Sequence, residues 1–288
     1  MRIGAVILHY NRIDLTLACC ESLLRQTLSA HRILVVDNGS PGHTPEELST
    51  RLASLGSGRV ETLRLADNRG FAGGNNAGVR LLLDDSAIEA VLMLNNDTVC
   101  PPELLERLAA ALVPGVGMVG CEMTNARSMA NGKRETGNAI VAAGKNLSRV
   151  FAMPVPAPAG TGPDYLQGSC LLVPRKAMEE VGLLDERYTF FFEDADYSLR
   201  MKKAGYRLTV ANGVRLLHYG SATLGAQSRQ QAAWYRESAV VFLRRWRSHP
   251  WRRAFPPFLF RLIADLLKGR FSAVRGSLEG WRKGWKPL

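Results

Sequence analysis

Four short apolar runs, Ile3 to Leu8, Ile33 to Val36, Val60 to Leu65 and Val91 to Leu94, are rich in branched residues and are separated by stretches with helical spacing. This alternation predicts βαβ units around a parallel sheet and leaves few other folds open to the chain. Between the first two runs, Leu15, Ala18, Cys19, Ser22 and Leu23 recur at three and four residues, giving a helix with one apolar face and Asp14 placed to cap it.

The pattern changes further on. From about Val116 to Pro163 the chain is rich in Gly, Asn, Ala and Pro and reads as a loop-rich excursion. Beyond it, Tyr165 to Val173 reads as a strand, Arg175 to Val181 as a short helix, and Asp194 to Ala204 as a helix closed by Gly205. Leu208 to Ala211 and Val214 to Leu217 read as two further strands. The net charge of +11 is concentrated at one end: residues 244 to 288 hold twelve Lys or Arg against Asp265 and Glu279, so the preceding residues are nearly neutral. This divides the chain into a body, 1–243, and a basic amphipathic helical tail, 244–288.

No apolar run approaches the roughly 18 residues that span a bilayer, and Ile3 to Leu8 lacks the cleavage site of a signal peptide. Five cysteines with no C-x-x-C pair argue against a disulfide framework or a cysteine zinc site and favour a reducing cytoplasm. The expected location is therefore cytoplasmic, peripheral to the inner face of the membrane.

Open parallel sheets bind ligands beyond the carboxyl ends of their strands. Here those ends are polar: His9-Tyr10-Asn11-Arg12, Asp37-Asn38-Gly39-Ser40 and Asn95-Asn96-Asp97. Asp37 is suited to a nucleotide base or ribose and Asp97 to a diphosphate-bound metal, although turns favour the same residue types. In Asn68-Arg69-Gly70-Phe71-Ala72-Gly73-Gly74-Asn75-Asn76-Ala77-Gly78, four glycines precede a helical Val79 to Leu83, which would let backbone approach a ligand closely. The segment matches neither a P-loop nor a dinucleotide fingerprint. Phe190 to Phe192 lead into Glu193, Asp194 and Asp196. A dry wall raises a carboxyl pKa and a helix start lowers it, so these acids fit a base and a cap equally well. His218 ends an apolar run and reads as structural or as a ligand according to its neighbours.

In this order the motifs resemble the inverting family 2 glycosyltransferases, nearest the bacterial rhamnosyltransferases and their galactofuranosyltransferase relatives, over about Ile3 to Arg245. The resemblance implies the nucleotide-diphospho-sugar transferase (GT-A) fold: α/β, with a mostly parallel central sheet, flanking helices and a helical C-terminal tail. It implies Asp37 at the base, and Tyr10, Asn11, Arg12, Arg69, Asn75, Asn76 and Asn96 around the donor. It also implies Asp97 and His218 at a divalent cation, Mg²⁺ or Mn²⁺, and Asp194 as the catalytic base beside Glu193. The family's D-x-D motif falls on Asn95-Asn96-Asp97, so its first acid is an amide here.

The implied reaction moves a sugar, with rhamnose favoured, from a dTDP- or UDP-linked donor to a glycan or lipid-linked acceptor, with inversion. A nucleotidyltransferase of similar fold would need a glycine-rich N-terminal loop that is missing. A non-catalytic sugar-nucleotide or lipid-binding module is kept open by Asn95. The tail, with Trp246, Trp251, Trp281 and Trp285 among its cations, is expected to meet an anionic membrane or, alternatively, a protein surface such as a second copy of the chain. Nucleic acid is not expected as a partner, because no recognised motif accompanies the charge.

Overall fold

The computed structural model describes residues 1–56, 58–128, 134–141, 144–148, 154–156, 162–219 and 228–287, with backbone alone for 125–128, 134–141 and 156. The first half runs β1 (Ile3–His9), α1 (Ile13–Leu24), β2 (Arg32–Asp37), α2 (Pro45–Ala53), β3 (Val60–Arg64), α3 (Gly70–Leu83), β4 (Ala90–Asn95), β5 (Thr98–Val99) and α4 (Leu104–Ala111). Then follow β6 (Val116–Ser128), β7 (Arg134–Val141), β8 (Gly144–Leu147), β9 (Pro154–Pro156), β10 (Tyr165–Leu166), β11 (Cys170–Pro174), α5 (Arg175–Val181), α6 (Glu193–Lys203) and β12 (Arg207–His218). Three helices end the chain: α7 (Arg229–Trp246), α8 (Pro250–Leu267) and α9 (Phe271–Gly284).

The main sheet has the order β3-β2-β1-β4-β11-β6-β12-β5, with β7 also paired to β6. Strands β3, β2, β1 and β4 are mutually parallel, and β11 enters antiparallel between β4 and β6. The four apolar runs are therefore the parallel half. Alternate residues of β1 feed opposite layers: Ile3, Ala5 and Ile7 pack with α1 and α4, while Val6 packs with α3 and α5. All five cysteines are buried and unpaired.

The structure corrects the sequence reading in five places. Asp14 does not cap α1; Arg12 holds that position, and Asp14 lies in the first turn facing Arg51 at 3.3 Å. The glycine-rich stretch does not precede the helix but, from Gly70 onward, forms the first part of α3. The stretch from Val116 is not an excursion, because β6 is an inner strand of the main sheet and β8, β9 and β10 make a second, three-stranded sheet; the rest of that stretch lies outside the described residues. The single strand expected over 165–173 is two, β10 and β11, with a turn at 167–169. Conversely, the two strands expected over 208–217 form one, β12, interrupted by an irregularity between Ala211 and Arg215.

Residues 243 and 244, where the charge pattern changes, lie inside α7. Helix α9 lies against α7 through Gly276, Gly280 and Gly284, where a Cβ would run into α7 backbone at Arg229, Ala233 and Glu237 respectively. Of the tail's tryptophans, Trp246, Trp281 and Trp285 pack on the cluster that contains Phe192 and Phe242, and Trp251 is 51% exposed. Three of the four tail tryptophans are thus partly buried against a core.

Candidate active site

Adjacent parallel strands bring His9 and Asp37 side by side. Both are fully or almost fully buried. Asp37 accepts the N–H of Ser40 at 3.0 Å and pairs with Arg64, which also donates to the Ser40 carbonyl at 2.7 Å. Arg64 ends β3 directly opposite Asp37. His43 Nε2 stands 3.8 Å from Asp37 and 2.7 Å from His9 Nε2, and the other nitrogen of His9 meets Thr16 at 2.6 Å. Thr16 in turn accepts Asn96 Nδ2 at 3.0 Å. A continuous run of hydrogen bonds, Asn96–Thr16–His9–His43, thus joins the turn after β4 to the surroundings of Asp37. Burial pushes the His9 imidazole down to about 4 against a partial upward pull from Asp37, so the ring is neutral at neutral pH.

Asn11, with φ 62°, holds the neighbouring loop: its N–H donates to Ser40 Oγ at 2.9 Å and its Oδ1 accepts from Gly42 at 3.0 Å. Tyr10 is half-buried and Arg12 exposed beside it. Asn38 ties β2 to the start of α3, accepting the Arg69 N–H at 2.9 Å and donating to Asn68 and Gly70, each at 3.0 Å. The Arg69 side chain remains half exposed, 3.6 Å from Asp67.

The α3 glycines serve packing. A Cβ at Gly74 would strike Leu8, and one at Gly78 would lie 2.7 Å from Val36 and 2.8 Å from Val6. Asn76 is committed to the Leu184 carbonyl at 2.8 Å and to Glu186 at 2.9 Å. Asn75 donates to the Phe71 carbonyl at 2.9 Å, and its Oδ1 is buried without a partner among the described residues.

Asp97 sits in the turn between β4 and β5, and β12 ends opposite that turn, pairing His218 with Thr98. His218 Nε2 stands 3.2 Å from Asp97 Oδ1. One carboxylate and one imidazole suit a divalent cation whose remaining positions are filled by phosphate and water oxygens. Among the described residues the three-membered group spaced for a metal is instead His9, Asp37 and His43. There Asp37 is already neutralised by Arg64, which opposes a cation.

Glu193 and Asp194 open α6. Their entry is unusual: Phe191 and Phe192 both have positive φ, 70° and 67°, a conformation that costs bulky residues and persists only where packing imposes it. Helix α7 supplies that packing, with Phe190 against Trp234, Phe191 against Tyr235 and Phe192 against Phe242 at ring separations of 4.7, 5.5 and 5.2 Å. Asp194 accepts the Gly168 N–H at 3.0 Å and the Ala195 N–H at 2.7 Å. Burial raises its pKa, and these two bonds and Lys145 offset part of the rise. Glu193 is raised well above the usual carboxyl range by burial and then by the charge of Asp194, and its Oε2 is without a partner among the described residues. The apolar wall prevails over the helix dipole. The third acid, Asp196, serves the fold: it binds Arg200 at 2.8 Å and Trp246 Nε1 at 2.8 Å, tying α6 to α7.

One turn links the two acidic centres. Gly168 donates to Asp194, and the Ser169 carbonyl accepts the N–H of Asn95 at 3.1 Å, at the head of the segment that carries Asp97. Residues absent from the sequence-derived set that adjoin its members are His9, Thr16, His43, Arg64 and Gly168. Arg64 was detectable as a cation ending a strand parallel to the one that ends in Asp37. Gly168 carried no local signal, because its role depends on a contact with a helix 26 residues away.

The sheet order, with ligand-type side chains gathered at the carboxyl ends of β1, β2 and β4, is that of the nucleotide-diphospho-sugar transferases of the GT-A fold. Within that class the chain belongs to glycosyl transferase family 2, whose model matches residues 5–182. It is 34% identical over 119 residues to an N-acetylglucosaminyl-diphospho-decaprenol L-rhamnosyltransferase of Mycobacterium tuberculosis, which covers 41% of this chain and 38% of that protein. The chain spans less than half the length of the curated relatives it matches, 28% and 38% for two of them. Among solved structures, GalNAc-T7 with UDP, GalNAc and Mn²⁺ superposes with a TM-score of 0.62 at 15% identity, over 75% of this chain and 43% of that one. A mannosyltransferase from Pyrobaculum calidifontis with GDP-Man and Mn²⁺ gives 0.56 at 18% identity, over 97% and 73%. Membership of a sugar-transferase family sets aside the nucleotidyltransferase reading.

Proposed function

We propose that the protein transfers a sugar, with rhamnose the first candidate, from a dTDP- or UDP-linked donor to a hydroxyl of a glycan or lipid-linked saccharide, with inversion at the anomeric carbon. The observation that carries this reading is Asp194, a carboxylate aimed by two backbone N–H groups, made more basic by burial, and joined through the Gly168–Ser169 turn to the segment bearing Asp97. Asp194 takes the acceptor proton as the acceptor oxygen bonds to the anomeric carbon and the bond to the diphosphate breaks. The nucleoside diphosphate leaves with the electron pair. Asp97 and His218 would hold a divalent cation, Mg²⁺ or Mn²⁺, which would supply charge stabilisation to that leaving group. Asp37 and Arg64 face the nucleoside, with Arg69 near the phosphates. Thermal shift and turnover with dTDP-, UDP- and GDP-sugars, with and without Mn²⁺, test the donor. The anomeric configuration of the product, read by NMR, tests the mechanism, and retention would overturn it.

The second part of the reading is attachment to an anionic membrane. Trp251, Phe255, Leu259, Ile263 and Leu266 recur at three and four residues on α8 and are 40–51% exposed, while Leu267 reaches 84%. Exposed Arg252 and Lys268 flank this face. Each cation near anionic lipid contributes about 1 kcal/mol. None of the described helices is long and apolar enough to cross a bilayer. Full-length protein is expected to float with phosphatidylglycerol vesicles at low salt and to be released by high salt, and Phe260→Ser/Leu267→Ser to float less. Absence of flotation together with a dimer in sedimentation would assign the face to a second copy of the chain.

A further inference from the structure

Between α7 and α8 lies a cavity of about 640 Å³. That is within the range of roughly 300–1,000 Å³ typical of small-molecule sites. Phe191 and Phe192 form its wall on the side of the active site, Ala239 and Leu243 come from α7, and Pro257 and Phe260 from α8. Phe192 is the residue immediately before Glu193 and Asp194, so the hollow and the acid pair share a wall. On the other side Phe260, 76% exposed, belongs both to the cavity lining and to the outer surface of α8. The apolar space is thus continuous from the neighbourhood of the acids to the helix proposed to meet lipid.

The lining also holds a charge. Arg236 is 6% exposed, forms no ion pair among the described residues, and has a buried Nε without a hydrogen-bond partner. Its guanidinium lies 5.2 Å from the Phe258 ring centre. Asp265 gives little relief, because Arg261 at 2.7 Å and Arg270 at 3.6 Å already hold it. Burial works against the Arg236 charge, as its lowered pKa records. Three guanidinium groups around one carboxylate leave a cationic excess beside an apolar hollow. An uncompensated buried cation is costly, and a bound anion removes the cost.

We propose that this cavity is a subsite for the isoprenoid chain of a phosphate-linked lipid acceptor, with Arg236 pairing with the lipid phosphate. The assignment rests on the reading that Asp194 activates a lipid-linked acceptor, and it explains why an apolar site adjoins a catalytic acid pair. A hydrocarbon chain takes up the walls, its phosphate satisfies Arg236, and the attached sugar is directed past Phe191 and Phe192.

The test is direct binding to the full-length protein, by calorimetry below the micelle concentration, of farnesyl phosphate, farnesol and inorganic phosphate. Farnesyl phosphate is expected to bind at least tenfold more tightly than either of the others. Arg236→Met should cost farnesyl phosphate about tenfold and leave farnesol unchanged. Ala239→Phe, which fills the hollow, should weaken both prenyl ligands. On the wild-type protein, a diazirine-bearing farnesyl phosphate should label peptides within 229–267, which keeps the proposal decidable if Ala239→Phe does not fold. Equal affinity for inorganic phosphate and farnesyl phosphate, unchanged binding in both variants, or labelling confined to residues that do not line the cavity would overturn it. UDP and dTDP titrations on the same preparations separate the two readings. Prenyl binding without donor binding sinks the transferase reading, and transfer to a soluble acceptor without prenyl binding sinks only the subsite.

Discussion

Asp194 Oδ2 and the backbone N of Gly168 are 3.0 Å apart, a bond that fixes one carboxylate oxygen, while Oδ1 accepts the N–H of the next residue, Ala195. Asp194→Asn should keep this shape and remove the base. Turnover is expected to fall by roughly 10²–10⁴, the usual contribution of a general base, with donor affinity within a few fold. Steady-state kinetics and a donor titration measure the two separately, and turnover above about a hundredth of wild type would remove Asp194 from the role.

Gly168→Ala tests the same contact from its other side. A Cβ there meets the Phe71 ring at 3.2 Å and Asp194 Cβ at 3.6 Å, so the turn must shift and take the carboxylate with it. A lower kcat with little change in donor KM is expected. A change in KM alone would place the turn at the donor.

Asp97→Ala should weaken binding of the nucleoside diphosphate more than that of the nucleoside, since its proposed partner is a phosphate-bound cation next to His218. Asp37→Ala should weaken both, because the proposed partner of Asp37 and its paired Arg64 is the nucleoside. Equal losses for both ligands in Asp97→Ala, measured by calorimetry with Mn²⁺ present, would move that residue away from the diphosphate.

Two buried groups give stability opposite slopes with pH. Burial raises Glu193, so the folded state holds its proton more tightly than the unfolded state does. Its contribution is fully present below the unfolded pKa of 4.5 and is lost as pH rises through the folded value. Glu193→Gln has no such loss, and its melting temperature relative to wild type should climb with pH.

His9 behaves the other way. Its folded pKa of about 4 lies below 6.5, so stability is lost as pH falls from 6.5 toward 4. The loss is at most about 3 kcal/mol. Thermal melts of His9→Asn should show a flatter acid limb than wild type, and parallel limbs would mean that another group dominates acid unfolding.

Gly78→Ala separates packing from ligand approach on α3. The added Cβ would press on Val6 and Val36, two stiff side chains of the central strands. Overpacking typically costs about 1–3 kcal/mol, which outweighs the gain in helix propensity. Lower stability with unchanged donor affinity is expected, whereas lost donor affinity at unchanged stability would restore the glycines to the ligand.

The sequence by itself determined the parallel half of the sheet, because β1, β2 and β4 are buried on both faces and so read as apolar runs ended by turn residues, while the more exposed edge strand β3 still carries Val60 and Leu63. It also located Asp37, Asp97 and the Glu193–Asp194 pair, since strand ends and helix starts are local features. It could not reveal that α3 begins at Gly70, because helix propensity counts against glycine and the compensation comes from Val6, Val36 and Leu8 on neighbouring strands. Nor could it reveal what surrounds Asp194. That depended on α7 holding Phe191 and Phe192 in left-handed backbone and on Gly168 arriving from the turn between β10 and β11. The chain of contacts from Asn96 to His43, the pairing of Arg64 with Asp37 and the burial of Arg236 in its cavity, with no ion pair among the described residues, were likewise decided only by the tertiary structure. Each joins residues whose chemistry is ordinary in isolation and acquires its meaning from burial beside a partner distant in sequence.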